Sequence, residues 1–179
     1  CMGSRLYHGI DQDNDRSPNL FKKYHEQYAK WRDDGIKKAR DLLTQDEQSV
    51  CIIALDLQEY YYRIKVDWAR LRSDLRSEIE IDESENIFTL REQLGSQLLN
   101  CIEAMLSFYR QRIAPQLKIT HTEVPETATC LPIGLCASPL IANWYLKEFD
   151  EAILTKVRPA YYGRYVDDIL MVVTSEAEP

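Results

Sequence analysis

Two adjacent aspartates, Asp167 and Asp168, interrupt an apolar run that extends from Tyr161 to Val173. Burying an unpaired carboxylate is very costly, so the two side chains cannot both lie in a dry core. We expect the flanking residues to form a β-hairpin with the aspartates at its turn, where a divalent cation would offset their repulsion. An ordinary hairpin turn prefers Asn-Gly or Asp-Gly, and neither is present here. The pattern therefore favours a metal site over a plain turn.

A third carboxylate, Asp56, closes the apolar run 50–55, which is typical of a buried strand. Taken alone, an aspartate at this place is more typical of a helix cap. With Asp167 and Asp168 downstream, we interpret the three carboxylates as ligands of two Mg²⁺ ions roughly 4 Å apart, with Mn²⁺ as an alternative ion. One of the two metal ions would lower the pKa of an attacking 3′-hydroxyl, and the other would stabilise a leaving pyrophosphate.

Three segments follow one another in the order of a known set of catalytic motifs. Residues 56–61 (DLQEYY), 131–143 (LPIGLCASPLIAN) and 165–168 (YVDD) resemble the first, second and third motifs of the reverse transcriptase palm. The resemblance covers roughly residues 50 to 173, with an unmatched stretch between the first two motifs. Together, the segment 21–32 and the tyrosine-rich first motif are more similar to the bacterial abortive-infection and defence-associated branch than to retroviral enzymes.

The resemblance also implies roles for individual residues. It makes Asp167 the firmer metal ligand and Asp168 the looser one, and the backbone carbonyl of Leu57 would complete the shell. Tyr61 occupies the place of an aromatic steric gate that excludes a 2′-hydroxyl, with Tyr60 as a packing residue. The residues expected to support the incoming nucleotide and the template are Gly134, Ser138, Pro139 and Asn143.

Each of these roles has a simpler alternative. Gly134 would only permit a turn, Ser138 would cap a helix that has Pro139 in its first turn, and Asn143 would face water. The basic residues that bind the triphosphate cannot be located. Arg164, beside the aspartate pair, is one candidate, although a charge at a strand edge explains it more simply.

The pattern of elements predicts an α+β fold, a ferredoxin-like polymerase palm with an antiparallel sheet packed on long helices. We expect an amphipathic helix from Asn19 that breaks at Asp34-Gly35 and resumes, helices over 60–75 and about 88–113, and a short strand or hairpin within 114–130. Residues 1–18 would be a flexible arm or the end of the fingers. Residues 19–179 would be the palm, with a helical insertion at about 65–113.

Length and composition set further expectations. At 179 residues, with Cys1 preceding Met2, the chain is interpreted as an internal fragment, a partial right-hand polymerase without a thumb. Its net charge of −7 predicts weak nucleic-acid affinity for this piece alone. The five cysteines have no Cys-x-x-Cys spacing, so we expect no zinc site, with Cys51 and Cys101 in the core. No membrane partner is expected, and the cytoplasm is the default location.

The leading hypothesis is an RNA-directed DNA polymerase that uses dNTPs, an RNA template and a DNA or protein primer, in bacterial antiphage defence. Template-independent or protein-primed synthesis by the same site is one alternative. A nucleotide cyclase is a weaker one, because the Gly-Gly-acidic-acidic-Phe hairpin of those enzymes is missing. A third hypothesis is a non-catalytic assembly module, a homo-oligomer held by the long helices.

Overall fold

The computed structural model describes residues 24–45, 49–79, 85–119 and 124–174. Contacts divide the chain into two compact units, residues 1–58 with 142–179 and residues 59–141. The predicted N-terminal arm, residues 1–18, lies outside the described residues, as does the predicted start of the first helix at Asn19.

The first unit contains an antiparallel sheet. Its described elements are helix α1 (Tyr24–Gln45), strand β1 (Val50–Asp56), the end of α5 (Ala137–Tyr145), α6 (Lys147–Ala152), a π-helical segment (Ile153–Val157), β2 (Tyr161–Tyr165) and β3 (Asp168–Thr174). The strand order is β1-β3-β2, so β3 lies in the centre. This mixture of helices and a small antiparallel sheet is an α+β, palm-like fold, and the predicted hairpin is confirmed.

Helix α1 packs on the sheet through one stripe of residues. Trp31, Ala39 and Leu42 are buried at helical spacing, and Ala39 and Leu42 form a core cluster with Val172 of β3. The hydroxyl of Tyr161 in β2 donates a hydrogen bond of 2.6 Å to the carbonyl of Trp31. The helix therefore holds the hairpin through both apolar contacts and a polar one.

The predicted break of α1 at Asp34-Gly35 is wrong, because the helix is continuous from Tyr24 to Gln45. Gly35 serves a close approach to the sheet instead. A Cβ on this residue would lie 2.5 Å from Cδ2 of Leu170 and 3.0 Å from Cε1 of Tyr161. Since Leu170 is itself buried, it has little room to move away.

We expect Gly35→Ala and Gly95→Ala to change stability in opposite directions. Both glycines lie inside helices, but a Cβ on Gly95 of α4 would have no neighbour within 4 Å. Overpacking should make Gly35→Ala destabilising by about 1–3 kcal/mol, whereas Gly95→Ala should stabilise by about 0.5–1 kcal/mol through helix propensity. Urea unfolding measures both free energies. Equal effects of the two substitutions would contradict the packing role of Gly35.

The second unit is mainly helical. Its described elements are α2 (Tyr60–Arg63), α3 (Trp68–Ile79), α4 (Glu85–Ile119) and the first part of α5, joined by a segment without regular structure over 124–136. That segment is tied to the α2 end by hydrogen bonds from the amide of Leu131 to the carbonyl of Tyr61 and from Thr129 to Ile64, each 2.7 Å. Helix α3 pairs with α4 through Arg72 and Glu103.

Two expectations about this part of the chain are corrected. The helix predicted over 60–75 is two helices, because residues 64–67 are not helical. The short strand or hairpin predicted within 114–130 is wrong for the described residues of that range, because α4 continues to Ile119 and no strand follows over 124–130. Pro115 removes only one backbone donor, and the helix extends past it by a single turn.

The predicted burial of β1 and of two cysteines is also wrong. Strand β1 is at the sheet edge, where Ile52 and Leu55 are 51% and 46% exposed. Cys51 and Cys101 are exposed, and the buried cysteine among the described residues is Cys130. Apolar side chains suggest burial from sequence, but whether a strand is central or lies at an edge depends on pairing partners that are distant in the chain.

Candidate active site

The sheet brings the three predicted catalytic carboxylates to one end. β1 and β3 pair in a register that sets Asp56 directly opposite Asp168, and directly opposite residues point to the same face of a sheet. Asp167 lies immediately before Asp168, as the second residue of the two-residue turn that joins β2 to β3. The amide of Leu57 donates a hydrogen bond of 3.2 Å to the carbonyl of Asp167, which extends the β1–β3 pairing past Asp56.

The turn between β2 and β3 is strained at Val166. Tyr165 pairs with Asp168, so Val166 and Asp167 are the two central residues of the hairpin. Val166 has a φ of 58°, a left-handed conformation that is rare for a β-branched residue. A positive φ at the first central position belongs to type I′ and II′ turns, where glycine and asparagine are the usual residues. The turn must therefore be held by its surroundings.

The environment of the aspartate pair disfavours negative charge. Burial raises the pKa of Asp167, and the nearby carboxylate of Asp56 raises it further. A hydrogen bond with the Asp167 backbone and the charge of Arg164 both act in the opposite direction and lower this pKa. Burial also raises the pKa of Asp168, with further increases from Asp167 and Asp56. Three carboxylates that repel one another in a half-buried site would be stabilised by a divalent cation.

The donor set fits a hard divalent ion, because carboxylate oxygens are the ligands that Mg²⁺ prefers. Within the described residues, however, no three His, Cys, Asp or Glu side chains already converge as a metal-binding group. The strand register fixes the backbone positions of Asp56 and Asp168, whereas each carboxylate still rotates about its side-chain torsions. Gathering the oxygens around an ion would therefore require rotamer changes and no change of strand pairing.

A buried arginine lies directly behind the turn. Arg164 is 1% exposed, and its guanidinium pairs with Asp150 through two hydrogen bonds of 2.7 Å. Its Nη1 donates to Oδ1 of Asn143 at 3.0 Å and to the carbonyl of Val166 at 2.6 Å. Arg164 does lie in β2, a strand at the sheet edge, but its side chain is buried instead of solvated, so it is unsuited to binding a triphosphate.

Sequence reasoning missed Asp150 and Tyr162, which complete this network. The hydroxyl of Tyr162 donates to Oδ1 of Asp150 at 2.5 Å. Burial, and then the bond to Asp150, raise the pKa of Tyr162 far above its usual value, so the phenol keeps its proton. One signal in the sequence was available, since an arginine inside an apolar strand requires a buried acidic partner.

Comparison with known families decides what this site belongs to. The model of the family described as reverse transcriptase (RNA-dependent DNA polymerase) matches residues 10–178. The chain belongs to the reverse transcriptase family. No curated protein and no solved structure gives a significant match to it.

Membership makes this chain a nucleotidyltransferase, an RNA-directed DNA polymerase, with nucleotides as substrates and nucleic acid as template and primer in general. Enzymes of this family normally use divalent metal ions, which agrees with the carboxylate donors of Asp56, Asp167 and Asp168. In the parts of this reverse transcriptase that are described, no helix combines the length and the apolar character needed to span a membrane.

Four predicted substrate-binding residues of this reverse transcriptase belong to the second unit, namely Tyr61, Gly134, Ser138 and Pro139. Tyr61 is half-buried and meets the edge of Tyr60 with ring centroids 6.0 Å apart, and Tyr60 is buried, as its predicted packing role requires. Gly134 has a φ of 98°, and a Cβ there would meet nothing within 4 Å. Its backbone conformation alone therefore requires glycine.

Ser138, Pro139 and Asn143 lie on helix α5 of the reverse transcriptase. Ser138 is buried inside the first turn, and its hydroxyl donates to the carbonyl of Pro132 at 2.7 Å, so the prediction that it caps the helix is wrong. Pro139 lies in the first turn as predicted. Asn143 does not simply face water, because its side chain accepts a hydrogen bond from Arg164. Contacts of these residues with a nucleotide stay predictions.

Proposed function

We propose that this reverse transcriptase copies RNA into DNA with Asp56, Asp167 and Asp168 holding two Mg²⁺ ions. The observation that carries the proposal is the strand register, which pairs Asp56 with Asp168 and leaves Asp167 in the adjoining turn. This arrangement suits in-line displacement at phosphorus, where paired divalent ions activate the attacking 3′-hydroxyl and stabilise the leaving pyrophosphate. The carbonyl of Leu57 is the proposed fourth donor, beside the amide that already holds the turn.

Each acidic residue would then have a distinct task. Asp56 and Asp167 come from different strand ends, so together they would clamp ions between β1 and the turn. Asp168, at the first position of β3, would be the more loosely engaged ligand.

The remaining palm details, including a ferredoxin-like arrangement and a helical insertion at about 65–113, are part of the same proposal.

Nucleotide incorporation by the intact protein tests this function. With Mg²⁺, we expect labelled dNTPs to be added to a primer on an RNA template, and NTPs to be added poorly. Omission of the template separates ordinary copying from template-independent synthesis, and label that stays covalently attached to the protein reveals protein priming. Absence of incorporation under every condition would contradict the proposal.

We propose Tyr61 as the residue that excludes ribonucleotides. It stands five residues after Asp56 and is half-buried, with its ring braced by buried Tyr60. A ring that occupies the space of a 2′-hydroxyl rejects NTPs sterically. Tyr61→Ala should therefore raise the kcat/KM ratio of NTPs to dNTPs by about tenfold or more. Tyr62→Ala is the matched control, and an equal ratio in both variants would refute the gate.

The cellular role that we propose is antiphage defence in the bacterial cytoplasm. Its support is the similarity of residues 56–61 to the defence-associated branch. Phage plating on cells that express the wild type or Asp167→Asn tests it. Equal plaque counts on the two strains would contradict a defence role without affecting the polymerase assignment.

Assembly through α4 is a second candidate function, favoured by one observation. Leu94, Leu98, Met105 and Phe108 are exposed and follow the a/d spacing of a heptad repeat. A seam of this kind packs against a like helix, so its occupant would be a second copy of the chain. Sedimentation should detect a dimer that Leu98→Glu dissociates. Ser96→Glu, which lies two residues from the nearest seam positions, should leave the dimer intact. A monomeric wild type would exclude this candidate.

A further inference from the structure

The guanidinium of Arg164 is committed to partners within the first unit. Asp150 takes two of its hydrogen bonds, and Asn143 accepts from Nη1 through its side chain and from Nη2, at 3.3 Å, through its carbonyl. Planar bidentate pairing with a carboxylate sets both the position and the orientation of the guanidinium. The position of the Arg164 guanidinium is therefore set by residues of α5 and α6, independently of its contact with the turn.

The contact of Arg164 with the turn is made to the strained residue. Its Nη1 donates to the carbonyl of Val166 at 2.6 Å, and Val166 holds a φ of 58°. Strained conformations of this kind cost of the order of 1–3 kcal/mol and persist only where neighbouring groups impose them. On the other side of the turn, the Leu57 amide holds the carbonyl of Asp167. The two peptide units that carry the Asp167 side chain are thus restrained from both sides.

We propose that Arg164, oriented by Asp150 and Asn143, is a positioning residue that fixes the turn of the aspartate pair for catalysis. The proposal rests on the proposed role of Asp167 in nucleotidyl transfer. It assigns Asn143 to this network through its Oδ1 atom, whereas sequence reasoning had expected it to contact the substrate. Without the anchor, Val166 would relax from its left-handed conformation and the carboxylate of Asp167 would no longer point to a fixed place.

Arg164→Lys in the intact protein is the main test. Lysine keeps the charge but cannot pair bidentately with Asp150 while it also donates to Val166 and Asn143. We expect kcat for dNTP incorporation to fall by about 100-fold, with KM within about threefold of wild type, because the turn and not the nucleotide contact is disturbed. The matched control is Arg32→Lys, because Arg32 forms an exposed ion pair with Asp33. This substitution should leave kcat and KM unchanged.

Hydrogen exchange gives a readout that does not depend on activity. In Arg164→Lys, amide exchange in a peptide covering residues 165–169 should rise by about tenfold, while a peptide from α1 stays protected. Exchange that rises equally in both peptides would show a general loss of structure and overturn the positioning role. Unchanged exchange in residues 165–169 together with a kcat within about twofold of wild type would overturn it as well.

Asn143→Ala gives a milder second variant if Arg164→Lys folds poorly. Shared action through one network predicts that the two substitutions are non-additive, so the double variant should lose little more kcat than Arg164→Lys alone. If Asn143 contacted the substrate instead, Asn143→Ala would raise KM, and its effect would add in full to that of Arg164→Lys. That result would overturn the place of Asn143 in the anchor. If the wild type incorporates no nucleotide, the proposed function fails, whereas the exchange measurement still decides the anchor.

Discussion

Asp167→Asn should abolish DNA synthesis while leaving the fold intact. Asparagine has nearly the same shape, but its neutral amide lacks the negative charge of a carboxylate and is therefore a much weaker ligand for Mg²⁺. We expect kcat to fall by about three orders of magnitude or more, with a smaller loss for Asp168→Asn, because Asp168 is the proposed looser ligand. Incorporation assays with an RNA template measure the change, and Asp33→Asn, an exposed acid in α1, is the control.

The same substitution should not destabilise the protein. Asp167 is half-buried among like charges of Asp56 and Asp168, so removing its charge removes repulsion from the folded state. The melting temperature should therefore stay level or rise in the absence of Mg²⁺. Because a ligand that binds only the folded state stabilises it, Mg²⁺ should raise the melting temperature of the wild type more than that of Asp167→Asn. Retained synthesis by this variant would contradict the assignment of the site.

Asp150→Ala should cause the largest loss of stability among the substitutions considered. Arg164 and Asp150 have side chains only 1% and 19% exposed, and removing the acid leaves a buried guanidinium without its counter-charge. Loss of one partner of a buried ion pair costs about 3–5 kcal/mol, and Tyr162 loses its hydrogen-bond acceptor at the same time. For a chain of this size we expect the melting temperature to fall by about 10 °C.

Glu151→Ala provides the matched control for Asp150→Ala. It removes an adjacent acid whose side chain is exposed, and such surface changes stay within about 0.5 kcal/mol. Asp150→Asn should fall between the two, since an amide still accepts hydrogen bonds but carries no charge. Thermal and urea unfolding of the three variants give the comparison. Equal stability of Asp150→Ala and Glu151→Ala would show that the ion pair contributes nothing to the fold.

Much of the site could be predicted because its signals are local. The hairpin followed from apolar residues on either side of Asp167 and Asp168, and the strand ending at Asp56 followed from a short β-branched run. The order of the three motifs indicated the family that the comparison confirms. The hairpin and the strand each needed only residues that are near one another in the chain, whereas the family needed three short motifs in a fixed order.

Two of the errors concern features that depend on partners far away in the chain. Gly35 suggested a helix break, yet it permits α1 to approach Leu170, a residue of a strand that forms 135 positions later. The apolar character of β1 suggested burial, yet its place at the sheet edge leaves Ile52 and Leu55 exposed. Local propensity carries no information on either neighbour.

The sequence by itself indicated the family of this protein, because its three motifs are short, recognisable patterns. Only the tertiary structure decided how the turn is held. In the folded chain, Asp150 of α6 lies within hydrogen-bond distance of Arg164 in β2. The paired guanidinium also donates a hydrogen bond to the carbonyl of Val166. The physical reason is that a buried charge must find a partner, while the sequence alone does not say which of many acids will be within reach.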